Sequence, residues 1–157
     1  NHDYVLDIYR EYLVKHKEAR LLLIGKGAEK ERILKKIEDY DLKDRIIFLE
    51  GRSDIPELLS AMDIFILPSL FEGYPVSAIE AQAMGLPCIL SDRITKECLV
   101  TDRVEMVSID GPAAAWCEAI DRSRAKDNSR CMDKIGNLED YDIQNSIRRL
   151  EDIFCNV

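Results

Sequence analysis

The sequence predicts an α/β fold in which a doubly wound, Rossmann-like parallel sheet lies between two layers of helices. Two observations carry that expectation. The apolar runs Leu21–Ile24, Ile46–Leu49, 64–67 and 88–90 are three or four residues long and contain no charged residue. Strands buried on both faces of a parallel sheet read this way. Between the runs, apolar residues recur at helical spacing, so helix and strand alternate along the chain.

Each element has its own signal. Tyr4, Val5, Ile8, Tyr12 and Leu13 form the apolar stripe of a first helix, and Ile33, Leu34, Ile37 and Tyr40 that of a second. Ile55, Leu58, Leu59 and Met62 predict a third, with Asp54 as its N-cap and Glu57 completing a capping box. Val76, Ile79 and Ala83 mark a fourth helix, ended near Gly85 and Pro87. In Val104–Val107 the run is interrupted by Glu105, as in an edge strand. Trp116, Ala119 and Ile120 follow Gly111-Pro112 and predict a fifth helix. The polar stretch 123–137 reads as a loop or frayed helix end. Ile143, Ile147, Leu150 and Phe154 predict a C-terminal helix at about 140–155.

The 157 residues correspond to one domain at the usual size of roughly 150 residues. Hydrophobic residues make up 46%, too apolar for a disordered chain. The net charge of −8 argues against a nucleic-acid partner, which selects for basic excess. No apolar run approaches the roughly 18 residues needed to span a bilayer, and the chain is expected to carry no signal peptide. Five cysteines without a C-x-x-C pair give no zinc or redox signature and predict free thiols in a reducing cytoplasm. Cys88, inside an apolar run, reads as a small core hydrophobe.

In open α/β sheets ligands bind beyond the carboxyl ends of the strands. That rule selects loops 25–28, 50–54, 68–75 and 91–96. The first contains Gly25-Lys26-Gly27, the opening of a dinucleotide fingerprint, but Lys30 stands where its third glycine belongs. Nor is there a clean acidic residue at the tip of the second strand, although Glu50 is near. The alternative is a tight strand-to-helix turn with positive φ. The second loop carries Gly51 and Arg52, and Lys26, Arg52 and Arg93 together predict a locally positive edge suited to phosphate.

The third loop carries the most information. Glu72 and Glu80 flank a strand-to-helix junction that contains Gly73, Tyr74, Pro75 and Val76. Pro75 fits a first helical turn, which places Glu72 in the loop and Glu80 about one turn into the helix. The free amides of the helix start lie between them and form an anion site. A phosphate cradle between two hydrogen-bond-accepting carboxylates suits a diphosphate with polyhydroxylated groups on both sides, which is the shape of a nucleotide-sugar. The alternative is that both glutamates are solvated surface residues.

Residues 71–90 resemble the E-x7-E signature of retaining glycosyltransferases with the two-domain GT-B architecture, in the bacterial "glycosyl transferases group 1" family of polysaccharide and capsule assembly. The resemblance extends over about residues 1–120. Leu22 to Gly27 is similar to the family's L-I-G-x-G turn, and Ile46 to Gly51 to its I-x-F-L-G strand. Ile55 to Ser69 is similar to P-x-L-x-x-A-D-x-F-x-x-P-S, and the run through Pro87 to E-A-x-A-x-G-x-P.

The resemblance implies roles. Glu72 would contact donor-sugar hydroxyls near the reacting carbon, and Glu80 would accept from the ribose hydroxyls. Amides at Gly73, Tyr74 and Val76 would hold the diphosphate, with Pro75 replacing a common glycine and removing one donor. Gly51 and Arg52 would lie against the nucleobase, and Gly25 and Gly27 would leave room for the nucleotide.

It also implies a donor-binding second domain, 1–157, whose preceding acceptor domain, first strand and diphosphate-neutralising Arg and Lys lie outside this chain. The isolated piece is then expected to be inactive. The expected partners are a nucleotide-sugar donor and a saccharide or lipid-linked acceptor, with no metal or other cofactor. The expected location is the cytoplasm, with peripheral association at the inner membrane face. A nucleotide-sugar epimerase or hydrolase of the same architecture, or a non-catalytic binding module, are the alternatives.

Overall fold

The computed structural model describes residues 1–126 and positions 142, 144, 145, 147 and 148. Helix and strand alternate as expected: α1 (His2–Tyr12), β1 (Leu21–Ile24), α2 (Lys30–Asp39), β2 (Ile46–Leu49), α3 (Ile55–Ser60) and β3 (Phe65–Leu67) come first. Then follow α4 (Val76–Ala83), β4 (Cys88–Ser91), a 3-10 turn (Lys96–Cys98), β5 (Val104–Val107) and α5 (Ala113–Ala125).

Every ladder is parallel, but the strands form two sheets: β1 pairs β2, and β3, β4 and β5 pair in that order. The inner edges of β1 and β3 are not joined to each other. Among the described residues β5 pairs only β4, the edge position that Glu105 predicts.

Strand β4 shows how two helical layers are built. Cys88 and Leu90 enter one core with Leu59, Ala78, Ile79 and Ala81 from α3 and α4. Ile89 enters another with Ile8, Tyr12, Trp116 and Ala119 from α1 and α5. Alternate side chains leave a strand on opposite faces, so one short run feeds both cores. A third core joins α1 and α2 to Leu23 and Ile46.

β4 alone is buried at all four positions. The expectation of two-sided burial fails for β1, β2 and β3, which are mostly half-buried; Ile47 is 53% exposed. The reason is that β1 and β3 each present an edge with no strand beside it, and β2 has core packing on one face.

Local chemistry explains the other differences. Asp54 makes no capping bond because its carboxylate receives both Nε and Nη2 of Arg52. The third helix stops at Ser60, so Met62 lies beyond it. α4 buries Ala78, Ile79, Ala81 and Gln82 and leaves Val76 59% exposed, so Val76 is not on its apolar face. The helix ends as predicted at Gly85, whose φ of +72° closes a Schellman motif. There Gly85 N–H donates to Gln82 O at 2.9 Å, and Leu86 N–H donates to Ala81 O at 3.0 Å.

Helix α5 continues through Ala125, so residues 123–125 are helical and not loop. The predicted C-terminal helix lies almost wholly outside the described residues; positions 144, 145, 147 and 148 are helical.

Candidate functional site

The carboxyl ends of β1 and β2 are held level by their register, in which Ile24 is opposite Leu49 and Gly25 N–H donates to Leu49 O at 3.0 Å. Gly25, Gly27, Gly51 and Arg52 therefore share one edge, and all four are exposed. A Cβ added at Gly25, Gly27 or Gly51 would meet nothing within 4 Å, so these glycines border open space. Gly51 adopts φ +62°, which side chains disfavour, so this turn calls for a glycine. Lys30, from the start of α2, pairs with Glu50 and stands 5.9 Å from the centre of the Phe48 ring.

The positive edge is largely neutralised. Arg52 is paired with Asp54, whose carboxyl the guanidinium holds below its usual range. Arg93 Nη2 donates to both carboxylate oxygens of Asp110, at 2.9 and 2.8 Å. Lys26 is exposed, and its ammonium has no carboxylate partner among the described residues.

The second group lies on the other sheet, between β3 and α4. Glu72 sits in the loop, half-buried, and its Oε1 accepts a 2.8 Å hydrogen bond from Ser69 Oγ. Glu80 projects from α4 as an exposed residue. Pro75 is the N-cap, one position earlier than the first helical turn, and is buried. Gly73 and Tyr74 are exposed. The Val76 amide is not free: it donates to Tyr74 O at 3.0 Å. Ala78 and Ile79 N–H turn back onto Pro75 O, which leaves the amides of Gly73 and Ser77 without an acceptor among the described residues. Of the amides that the sequence assigns to an anion cradle, that of Gly73 is thus unclaimed among the described residues and that of Val76 is taken.

Sequence reasoning missed Ser69. It is 8% exposed, two residues beyond β3 and three before a carboxylate, and its signals are that spacing and its place at the end of the P-S motif. It also missed the Lys30–Glu50 pair, which needs the fold to bring residues 20 positions apart into contact. The two groups of site residues belong to separate sheets, and the hydrogen bonds and ion pairs described do not link them. Among the described residues no cluster of His, Cys, Asp and Glu could hold a metal ion. No helix among them is long and apolar enough to cross a membrane.

The family model described as "Glycosyl transferases group 1" matches residues 1–132. The chain is 35% identical over 126 residues to the putative glycosyltransferase EpsF of Bacillus subtilis, covering 80% of this chain and 33% of that protein. It is also 35% identical over 125 residues to an Escherichia coli UDP-Gal:alpha-D-GlcNAc-diphosphoundecaprenol alpha-1,3-galactosyltransferase, covering 76% and 32%. The chain thus spans about a third of the length of these curated relatives. Its fold is that of the C-terminal domain of a group 1 glycosyl transferase (LpcC) from Francisella tularensis, with a TM-score of 0.70 at 20% identity over 90% of this chain and 79% of that one. By the extent of the family match and the identity to these relatives, the chain belongs to the glycosyl transferases group 1 family.

Proposed function

We propose that this chain is the donor-binding domain of a retaining glycosyltransferase that moves a sugar from a nucleoside-diphosphate carrier to a saccharide or lipid-linked acceptor. One observation carries the reading beyond family membership. Glu72 precedes and Glu80 follows a helix start with two amides unclaimed among the described residues, and glycines border open space at the carboxyl ends of β1 and β2. In this reading the diphosphate takes the Gly73 and Ser77 amides, Glu72 meets the transferred sugar, and Glu80 meets the ribose. Gly25 and Gly27 leave room for the nucleotide, and Gly51 and Arg52 border the base.

The bond from the sugar's anomeric carbon to the phosphate oxygen breaks as a bond to the acceptor oxygen forms on the same face. The acceptor's proton passes to the leaving diphosphate. The electrostatic task is to stabilise the charge developing on that diphosphate. Arg52 and Arg93 are already paired, which leaves Lys26 as the unpaired cation of this edge among the described residues; in this reading further cations and the acceptor site come from the longer enzyme. The reaction in this reading needs no metal. The E. coli relative's name includes a diphosphoundecaprenol acceptor; an acceptor of that kind would keep the enzyme in the cytoplasm at the inner face of the membrane.

The split sheet supports a domain that is completed by a further strand ahead of α1. Leu21 N–H donates to Arg45 O just ahead of β2, Gly25 N–H to Leu49 O, and Phe65 N–H to Pro87 O. Strand alternation therefore turns the amides of Leu22, Ile24 and Ile66 toward the unjoined edges. Ile66 packs against both the α1–α2 core and the α1–α5 core, so it lies at the seam. A parallel strand leading into α1 and back to β1 is a right-handed crossover of the usual kind.

The test is calorimetric titration of the longer enzyme against a panel of nucleoside-diphosphate sugars. Saturable binding of one donor, with acceptor-dependent release of the nucleoside diphosphate, is expected. No saturable binding would refute the reading, and acceptor-independent release would point to a hydrolase or epimerase.

A further inference from the structure

The loop that carries Glu72 leaves the core at Pro68 and Ser69, both buried, and returns to it at Pro75, also buried. Between them Leu70 and Phe71 are 58% and 84% exposed, and neither joins a core cluster. Apolar packing therefore does not locate Glu72. Among the described residues, one side-chain hydrogen bond does: Ser69 Oγ donates to Glu72 Oε1 at 2.8 Å.

The two ends of that bond differ in freedom. Ser69 follows a proline, whose ring fixes φ. The Pro68 carbonyl in turn accepts from Asn1 Nδ2 at 3.0 Å, which ties the base of the loop to the start of α1. Glu72, by contrast, has a long side chain in a half-exposed turn. A hydroxyl has a single proton to donate, and an ionised carboxylate accepts at two oxygens. When Ser69 takes Oε1, Oε2 is left to accept from a ligand. Such a bond to a charged acceptor is shorter and stronger than one between neutral groups.

We propose that Ser69 is a positioning residue for Glu72: its hydroxyl holds one carboxylate oxygen so that the other accepts a hydroxyl group of the transferred sugar. The proposal rests on the assignment of Glu72 to the donor sugar. It predicts that the Ser69 hydroxyl acts on turnover through Glu72, and only through Glu72. Misplacing a reacting group by an ångström costs far more rate than affinity.

The test is a double-mutant cycle in the longer enzyme, read as kcat and as KM for the nucleotide-sugar. Ser69→Ala and Ser69→Gly should each lower kcat about tenfold while donor KM stays within about threefold. In a Glu72→Ala background either change should alter kcat by less than about twofold. If Ser69→Ala slows the Glu72→Ala enzyme as much as the wild type, the serine acts elsewhere and the proposal is wrong. A slow Glu72→Ala enzyme beside a fully active Ser69→Ala enzyme overturns the proposal alone. A Glu72→Ala enzyme with wild-type turnover overturns the site assignment, and the proposal with it.

Discussion

Gln82 Oε1 accepts the Val100 N–H at 2.8 Å, across 18 residues of sequence and in the interior of the domain. The side chain is 0% exposed and its polar capacity is fully used. Nε2 donates to Ala78 O at 3.0 Å and to Cys98 O at 2.8 Å, and Oε1 also takes the Thr101 N–H at 3.2 Å. One amide thus fastens the segment that leads to β5 onto α4. Replacing Gln82 with Leu strands the buried Val100 N–H, the half-buried Thr101 N–H and the Cys98 carbonyl. The expected loss is about 2–4 kcal/mol of stability, measured by urea denaturation. A loss well below 1 kcal/mol would show that water substitutes for the side chain.

Glu72 and Glu80 have separable roles in the proposed site. Glu72→Ala in the longer enzyme should reduce turnover chiefly, and Glu80→Ala should weaken donor binding chiefly. Steady-state kinetics with varied donor separates the two effects. Chelation with EDTA should leave both constants unchanged, and a loss of turnover that added divalent metal restores would contradict the metal-free reading.

Trp116 is the chain's one tryptophan, is fully buried, and donates from Nε1 to Ser108 O at 3.1 Å. Tyr4 meets its ring edge-on at 6.1 Å. Its fluorescence should be blue-shifted in the native state and move to the red as α5 leaves α1. Trp116→Ala should cost about 3–5 kcal/mol. Native emission already at the wavelength of free tryptophan would contradict the packing.

Burial pushes the Cys88 thiol up to about 12 from 9.0, and that of Cys117 up to about 11. A thiol kept neutral in the fold contributes stability that is intact below its unfolded value near 9. That stability is lost as pH climbs from there toward the folded value, because the unfolded chain then releases the proton first. Denaturation midpoints should therefore fall between about pH 9 and pH 11, and Cys88→Ala should flatten the decline. Native Cys88 should also resist thiol reagents at neutral pH. Rapid labelling of Cys88 in the folded state would refute its burial.

The amides of Leu22, Ile24 and Ile66 should exchange with solvent faster than those of Leu23 and Phe65 in this chain. In the longer enzyme the same three should become protected as a strand fills the seam. Exchange is read residue by residue by NMR or by fragment mass spectrometry. Equal protection of all five amides in this chain would mean that the seam is already closed.

Periodicity and punctuation were enough for most of the fold. Apolar runs located five strands, 3.6-residue stripes located five helices, and Gly85 with Pro87 placed the end of α4. These are local signals, because each depends on residues within a turn or two of one another. The local geometry of the candidate site was legible to the same depth. The strand-to-helix junction between Glu72 and Glu80, and glycines facing open space, follow from spacing and residue type.

Pairing across the chain was decided only by the tertiary structure. Arg52 and Arg93 read as a positive edge from the sequence, yet the fold pairs them with Asp54 and Asp110. Val76 reads as an amide donor from the sequence, yet its N–H closes on Tyr74 O. Leu21–Ile24 reads as a strand buried on both faces, yet it lies half-buried beside an unjoined edge. Apolarity records the burial a residue is suited to, but not which neighbour supplies it. A hydrogen bond such as Ser69–Glu72 depends on an ångström of backbone placement that residue type does not encode.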